Sequence, residues 1–353
     1  MTDLFQKVTA QHEQQLPFVV FCKPNSDVLV GLFQNNSELF FVKNFEEKGF
    51  AFAPFDGLKI PYIPQNQSEV CVEKVITSDF YITNEKVFSK NETAKNDFEN
   101  LVQSGVEAIQ SGSFRKVVLS RKEEITIENF AVETVFRKLV LNYPMAFNYC
   151  FFHPKIGLWF GATPERFLKV VNDEIQTVSL AGTQVFNATE NVIWETKEKE
   201  EQQFVTDYIV NNLKKHASQV MVSEPYTTKA GNILHIKTDI TAKLKTKENL
   251  KNIIETMHPT PAVCGLPKTV AKDFILANEG YEREYYSGFL GELNVDLATF
   301  TTEQSDLFVN LRCMKIKENT AELFIGCGIT KDSIPGKEFV ETVNKSLTMK
   351  KVL

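Results

Sequence analysis

The chain has 353 residues, 43% apolar and 24% charged, with 16 Gly, 13 Pro and a formal net charge of −6 at pH 7. That composition excludes collagen-like, disordered and low-complexity classes. A net negative field also opposes phosphate backbones and anionic lipid, so neither nucleic acid nor membrane is an expected partner. The 29 Phe residues read as bulky core filler. Cys22, Cys71, Cys150, Cys264, Cys313 and Cys327 are scattered singly with no C-x-x-C pair, the pattern of reduced thiols in a cytoplasmic protein. The opening stretch is polar and amphipathic, with no basic segment leading into an apolar one as in a secretory signal. No apolar run approaches the roughly 18 residues of a membrane span. A cytoplasmic location is expected.

Residues 17–80 read as short strands, PFVVFCK, SDVLVGLF, SELFFVKNF and EVCVEKVI, divided by turn-prone stretches such as KPNSD and QNNS. The spacing of Phe98, Leu101, Val102, Val106 and Ile109 predicts a helix over 95–111. A strand, RKVVLSRKEEITI, follows, then a helix over Val132–Asn142 and an aromatic strand pair, FNYCFFHP and GLWFGATP. After the strand-like TVSLAGT comes a long helix over 195–213. Strands recur at ILHIKTDITAKL, SGFLGELN, LFVNLRCMKI and AELFIGCGI, and a helix over 335–349 closes the chain. Strands grouped in sequence, with helices between them but no regular βαβ alternation, predict an α+β fold: a large, mainly antiparallel sheet core flanked by helices. Neither G-x-G-x-x-G after a strand nor G-x-x-x-x-G-K-[ST] occurs, so the two common nucleotide cradles are absent.

Glu198 and Glu201 are three residues apart on one face of a predicted helix, and Glu338 and Glu341 repeat the spacing in the last helix. Two acidic pairs on separate helices could converge on a hard cation such as Mg²⁺. Solvated helix faces with salt links are the commoner use of such spacing. Lys116 opens the strand KVVLSR, where a lysine either snorkels to solvent or is adapted for base work. Arg312, read as mid-strand in FVNLRCMKI, calls for a carboxylate or bound anion as partner. Gly326 and Gly328 in IGCGIT leave backbone open to a ligand or to tight packing. Glu165, in the strand-exit turn GATPER, gains interest only if it faces Lys116. His235 and His258 are not in metal-ligand spacing with any Cys or His, and a structural role is the simpler reading for both.

Together these stretches resemble the chorismate-utilising enzymes. The resemblance runs from about Phe114 to Lys345, through KVVLSR, GATPERFL, LAGT, KEKEEQQFV, LHIKTDI, HPTPAVCGLPK, EREYYSGFLGELN, FVNLRCMKI, GCGIT and EFVETVNKSL. It implies the fold of anthranilate synthase component I and one chorismate-binding domain over 1–353. Residues 1–100 would be a divergent N-terminal sheet portion and 101–353 the catalytic portion. Within the family the chain looks most like an isochorismate synthase of the menaquinone or siderophore type. Lys116 stands where the water-using members place their base and anthranilate synthases usually have Gln. Ala181 stands where aminodeoxychorismate synthases commonly have a nucleophilic Lys.

By resemblance, Lys116 is the base that activates water and Glu165 the general acid. Glu201 and Glu341 bind Mg²⁺ most directly, with Glu198 and Glu338 holding its waters. Arg312, Lys345 and the amides near Gly328 hold a substrate carboxylate. His235, Ala262, Tyr286 and Leu311 line the ring pocket, with Gly182 and Thr183 on its C4 side. The implied substrate is chorismate, handled by a monomer without a glutaminase subunit. Two departures stand out: Gln202 follows the metal-site Glu201 where many relatives have His, and Glu284 replaces a customary Gly. Salicylate synthase, an aminating relative and a non-catalytic chorismate-binding protein are the competing readings; Lys116 and Ala181 count against the aminating one.

Overall fold

A computed structural model describes residues 3–57, 59–75, 92–128, 130–185, 192–230, 233–246 and 249–353. Among these, two large sheets carry the architecture, and every strand pair in them is antiparallel. The first runs in spatial order Gly265–Leu266, Lys116–Thr126, Thr320–Ile329, Cys313–Lys317, Gly157–Thr163, Phe147–His153, Phe18–Cys22, Val28–Gln34, Ser68–Lys74. The second runs Ala217–Val222, Ile233–Leu244, Glu174–Val185, Arg166–Val171, Gln304–Val309, Phe289–Leu293, Gly49–Ala53, Pro61–Pro64, Phe40–Phe41. Tyr226–Ala230 also pairs with Ile233–Leu244. The α+β expectation holds.

The strands read as unbroken apolar runs because both of their faces are covered. In Phe18–Cys22, Val19 and Phe21 enter the core shared by the two sheets. Phe18, Val20 and Cys22 face the opposite way, into a second core under the Asp3–Glu13 and Val132–Asn142 helices. The Phe-rich composition is spent on the shared core, where rings stack offset across the gap. Phe147 lies 4.3 Å from Phe308 and 5.4 Å from Phe21, and Phe52 lies 4.3 Å from Phe151. Five of the six free cysteines are buried.

The Val132–Asn142 helix matches its expected bounds, with Val135, Phe136, Leu139 and Val140 on the buried stripe. The long helix spans Thr196–His216 and ends in Lys214, Lys215 and His216, cations suited to its C-terminal dipole. The last, Pro335–Lys350, starts with proline in its first turn, where a missing N–H costs nothing. SELFFVKNF was expected as a strand, but only Phe40–Phe41 pairs. Strands at Gly49–Ala53 and Arg166–Val171, and helices at Asn249–Met257 and Lys268–Asn278, carried too short or too mixed a period to be read. Ile76 of EVCVEKVI lies outside the described residues. The described residues among the first 75 are woven into both sheets, through Phe18–Cys22 beside Phe147–His153 and Gly49–Ala53 beside Phe289–Leu293.

One correction decides the site. FVNLRCMKI is not a single strand: Gln304–Val309 belongs to the second sheet and Cys313–Lys317 to the first. Arg312 sits in the crossing between them, at φ +46°. A second crossing lies alongside, where Gly157–Thr163 leaves the first sheet and Arg166–Val171 enters the second, with Glu165 between. The two are laced together: Ala162 N donates to Arg312 O (3.0 Å), Val309 N to Glu165 O (2.9 Å), and the Thr163 hydroxyl to Val309 O (2.6 Å). The acid and the guanidinium are thus set side by side by backbone bonds. Asn310 locks the Arg312 crossing, donating through Nδ2 to Tyr285 O and accepting from the Tyr149 hydroxyl at 2.7 Å.

Candidate active site

Glu165 is the centre of the cluster. Burial pushes its carboxyl up to about 7, against the opposing pull of Lys116, Lys345 and Arg312 in that order. A carboxylic acid that keeps its proton near neutrality can serve as a proton donor. Glu165 also lines a small recess with Phe167, Leu180, Met257, Thr260 and Ala262. Lys116, at the start of its strand, reaches across to the Thr196–His216 helix, where Nζ lies 2.7 Å from Glu201 Oε1. Its stem runs over Gly328, where an added Cβ would lie 3.2 Å from Lys116 Cε.

Arg312 is partly buried. Burial works against its charge, and Tyr286, Glu341, Glu165 and Tyr143 offset that cost. Lys345 lies 2.6 Å from Glu341 one helical turn away and donates to Gly326 O at 3.0 Å. Burial raises Glu338, with a Ser333 hydrogen bond opposing and Glu341 adding to the rise. The Tyr286 side chain is buried, and its hydroxyl leaves no room at Gly326, where an added Cβ would lie 2.6 Å from it. Leu311 packs against both the shared core and the core of the second sheet.

The LAGT stretch forms a bulge. The register of Glu174–Val185 against Ile233–Leu244 slips between Ala181 and Gln184, with Gly182 at φ +71°. A side chain at 182 would press on Glu198 Cβ at 3.2 Å, so glycine there admits the acidic helix. His235 Nδ1–H donates to Gly182 O at 2.9 Å, fixing the ring beside the bulge. The side chain of Thr183 lies outside the described residues.

The structure therefore gathers the two expected catalytic residues with Arg312, Lys345 and Glu341, and seats Glu198, His235 and Gly182 together at the bulge. Glutamate oxygens are the donor chemistry of Mg²⁺, and Glu198 Oε2 is buried without a hydrogen-bond partner, which fits a cation neighbour. Glu201 and Glu341 are each paired with a lysine, and among the described residues no three acid, His or Cys side chains converge.

A profile described as "Chorismate binding enzyme" matches residues 63–353. The chain belongs to the chorismate-binding enzyme family. The match reaches well upstream of the motifs that carried the resemblance. The chain is 28% identical over 266 residues to isochorismate synthase EntC of Escherichia coli K12, covering 71% of this chain and 66% of the relative. It is also 28% identical over 275 residues to the salicylate biosynthesis isochorismate synthase of Pseudomonas aeruginosa, covering 73% and 55%. The matched stretch thus spans less than two thirds of these relatives' own length. The structure of MenF, the menaquinone-specific isochorismate synthase of E. coli, superposes with a TM-score of 0.78 at 19% identity, covering 96% of this chain and 89% of that one. The fold is the one these chorismate-binding enzymes share.

Beyond the motif residues, the site of this family member rests on supports that sequence reasoning missed. Arg283 and Glu279 form a fully buried ion pair at 2.5 Å. Arg283 also donates to Val263 O and Val118 O, while Glu279 accepts from Ser120 N and Oγ. That network ties HPTPAVCG to the Lys116 strand from behind; the Glu279–Arg283 spacing of one helical turn was its only signal. Gln202, the departure from His, is buried and donates to the Thr238 and Thr206 hydroxyls at 2.6 and 2.9 Å, so a neutral network anchors the acidic helix. Glu284 adopts φ +48°, a left-handed conformation that favours glycine, and pairs with Lys315 at 2.7 Å. His258 takes the structural role expected of it: Nε2–H donates to Pro54 O at 2.8 Å, and burial lowers the ring to about 4. Among the described residues no helix is long and apolar enough to cross a membrane.

Proposed function

We propose that this protein is an isochorismate synthase, converting chorismate to isochorismate. The observation that carries the reading is Glu165, a part-buried acid raised to about 7 with Lys116 as the foremost positive charge acting on it. Water adds at C2 as Lys116 takes one of its protons. The ring double bonds shift, and the C4 hydroxyl departs as water with the proton of Glu165. One water enters and one leaves, so substrate and product are isomers, and the two residues exchange roles in reverse. Chorismate is a dianion and the protein is net negative, so local cations must provide the attraction. Arg312 and Lys345 supply two of them for a substrate carboxylate. Mg²⁺, held by Glu201 and Glu341 with Glu198 and Glu338 around its waters, would neutralise the ring carboxylate.

A base must present a lone pair, and a Lys116 ammonium paired with Glu201 has none; it has to shed a proton and turn from that carboxylate before it can accept one from water. His235, Ala262, Tyr286 and Leu311 would enclose the ring, with Gly182 and Thr183 on its C4 side. Residues 1–353 would act as a single chorismate-binding unit, a cytoplasmic monomer with no glutaminase subunit.

The test is incubation of purified protein with chorismate and Mg²⁺, with and without ammonium, followed by separation of products. Isochorismate is expected, with loss of activity on chelation and recovery with Mg²⁺. Salicylate with pyruvate would extend the function by one elimination on the same site. Anthranilate or aminodeoxychorismate appearing only with ammonium would overturn the roles given to Lys116 and Ala181. Binding without conversion would leave a non-catalytic chorismate-binding protein.

A further inference from the structure

We infer that Lys116 and Lys345 are resident counter-ions of the acidic helices, and that a divalent cation enters by displacing both ammonium groups, releasing Lys116 toward the substrate. The inference rests on the metal-dependent reading above. Its basis is the contrast between ion pairs in this molecule. Glu279–Arg283 is a permanent pair: both side chains are at most 2% exposed, and the guanidinium forks onto the carboxylate while donating to two carbonyls. Lys116–Glu201 and Lys345–Glu341 are built differently. Each is a single lysine contact, at 2.7 and 2.6 Å, with side-chain exposures of 17% and 28% in one and 27% and 46% in the other.

Part-exposed lysine pairs hold weakly, because the ammonium is strongly hydrated and water replaces its partner at little cost. A doubly charged ion meeting two such carboxylates gains more than either ammonium loses. Glu198 adds an acceptor that neither lysine occupies, its Oε2 being buried and unpartnered. The displaced groups are then well placed. Lys116 already lies over Gly328 and leads the positive charges acting on Glu165, and Lys345 retains the Gly326 carbonyl. Cation occupancy and the availability of Lys116 become one event.

The experiment is calorimetric titration with Mg²⁺ of the wild type, Lys116→Gln, Lys345→Gln, Lys116→Arg and Lys7→Gln, each first shown to be folded by circular dichroism. Lys7 pairs with Glu69 on a helix packed at the far edge of the first sheet from Lys116, and it controls for loss of one positive charge. Lys116→Gln and Lys345→Gln should each tighten Mg²⁺ binding by about fivefold or more, the removal of a competing ion pair. Lys7→Gln should not, and Lys116→Arg should bind no tighter than wild type. Mg²⁺ binding with unchanged affinity in both Gln variants overturns the displacement while leaving the metal site standing. No Mg²⁺ binding by any variant overturns it together with the metal site. Product analysis decides the reaction separately.

Discussion

Phe147 and Thr163 face each other in register on one hairpin, yet they belong to different regimes. Phe147 sits between Phe21 and Phe308 in the gap between the sheets, held by ring stacking among side chains that carry no charge. Thr163 ends its strand at the crossing, where its hydroxyl bonds Val309 O and the next turn delivers Glu165 among Lys116, Lys345 and Arg312. The aromatic side of the hairpin spends its residues on burial. The crossing side spends them on charged groups whose desolvation is offset by their neighbours. Stability and chemistry are therefore separable although they share strands.

The strongest way to break that separation is Glu165→Gln, which should lower turnover by about 10²–10⁴-fold, the usual worth of acid–base help, while leaving the unfolding midpoint near wild type or above it. Lys116→Ala should match it in turnover. Near-normal turnover in either variant, measured as isochorismate formed per minute, removes that residue from the mechanism. The converse test is Phe147→Ala, expected to cost about 3–5 kcal/mol in urea unfolding while the folded fraction keeps its kcat.

A titration sharpens the comparison. Glu165 is raised from 4.5 to about 7, so the acid form needed for catalysis is present below that pH and turnover falls above it, by about tenfold per unit. Stability follows the same sign: the favourable term is complete below the unfolded value and is lost as pH rises through 7. Glu165→Gln should lack both effects; a wild-type profile flat from pH 6 to 9 would sink the assignment. The smallest expected change is Glu284→Gly. Relief of the left-handed conformation exceeds the loss of the part-exposed Lys315 pair, for a gain of at most about 1 kcal/mol in urea unfolding.

Much of the site was legible because its residues sit in contiguous motifs. HPTPAVCGLPK and GATPERFL name the family without reference to space, and the Glu198/Glu201 and Glu338/Glu341 spacings put each pair on one helical face. The supports were not legible. Arg283 reaches Val118 and Val263, and Asn310 is held by Tyr149 and Tyr285, through contacts that no local period announces. Gln202 and Glu284 were visible as departures, but their meaning came from a buried hydroxyl network and a positive φ.

By itself the sequence determined the antiparallel α+β class, the Val132–Asn142 helix, the apolar runs and the family, because each rests on residues close together in the chain. Tertiary structure alone decided that FVNLRCMKI divides between two sheets. A strand buried on both faces shows no alternation, so nothing local tells which sheet receives it. Tertiary structure also decided that Lys116 meets Glu201, 85 residues away, since an ion pair depends on where two elements dock. Those two outcomes set Glu165 beside Arg312 and Lys116 against Glu201.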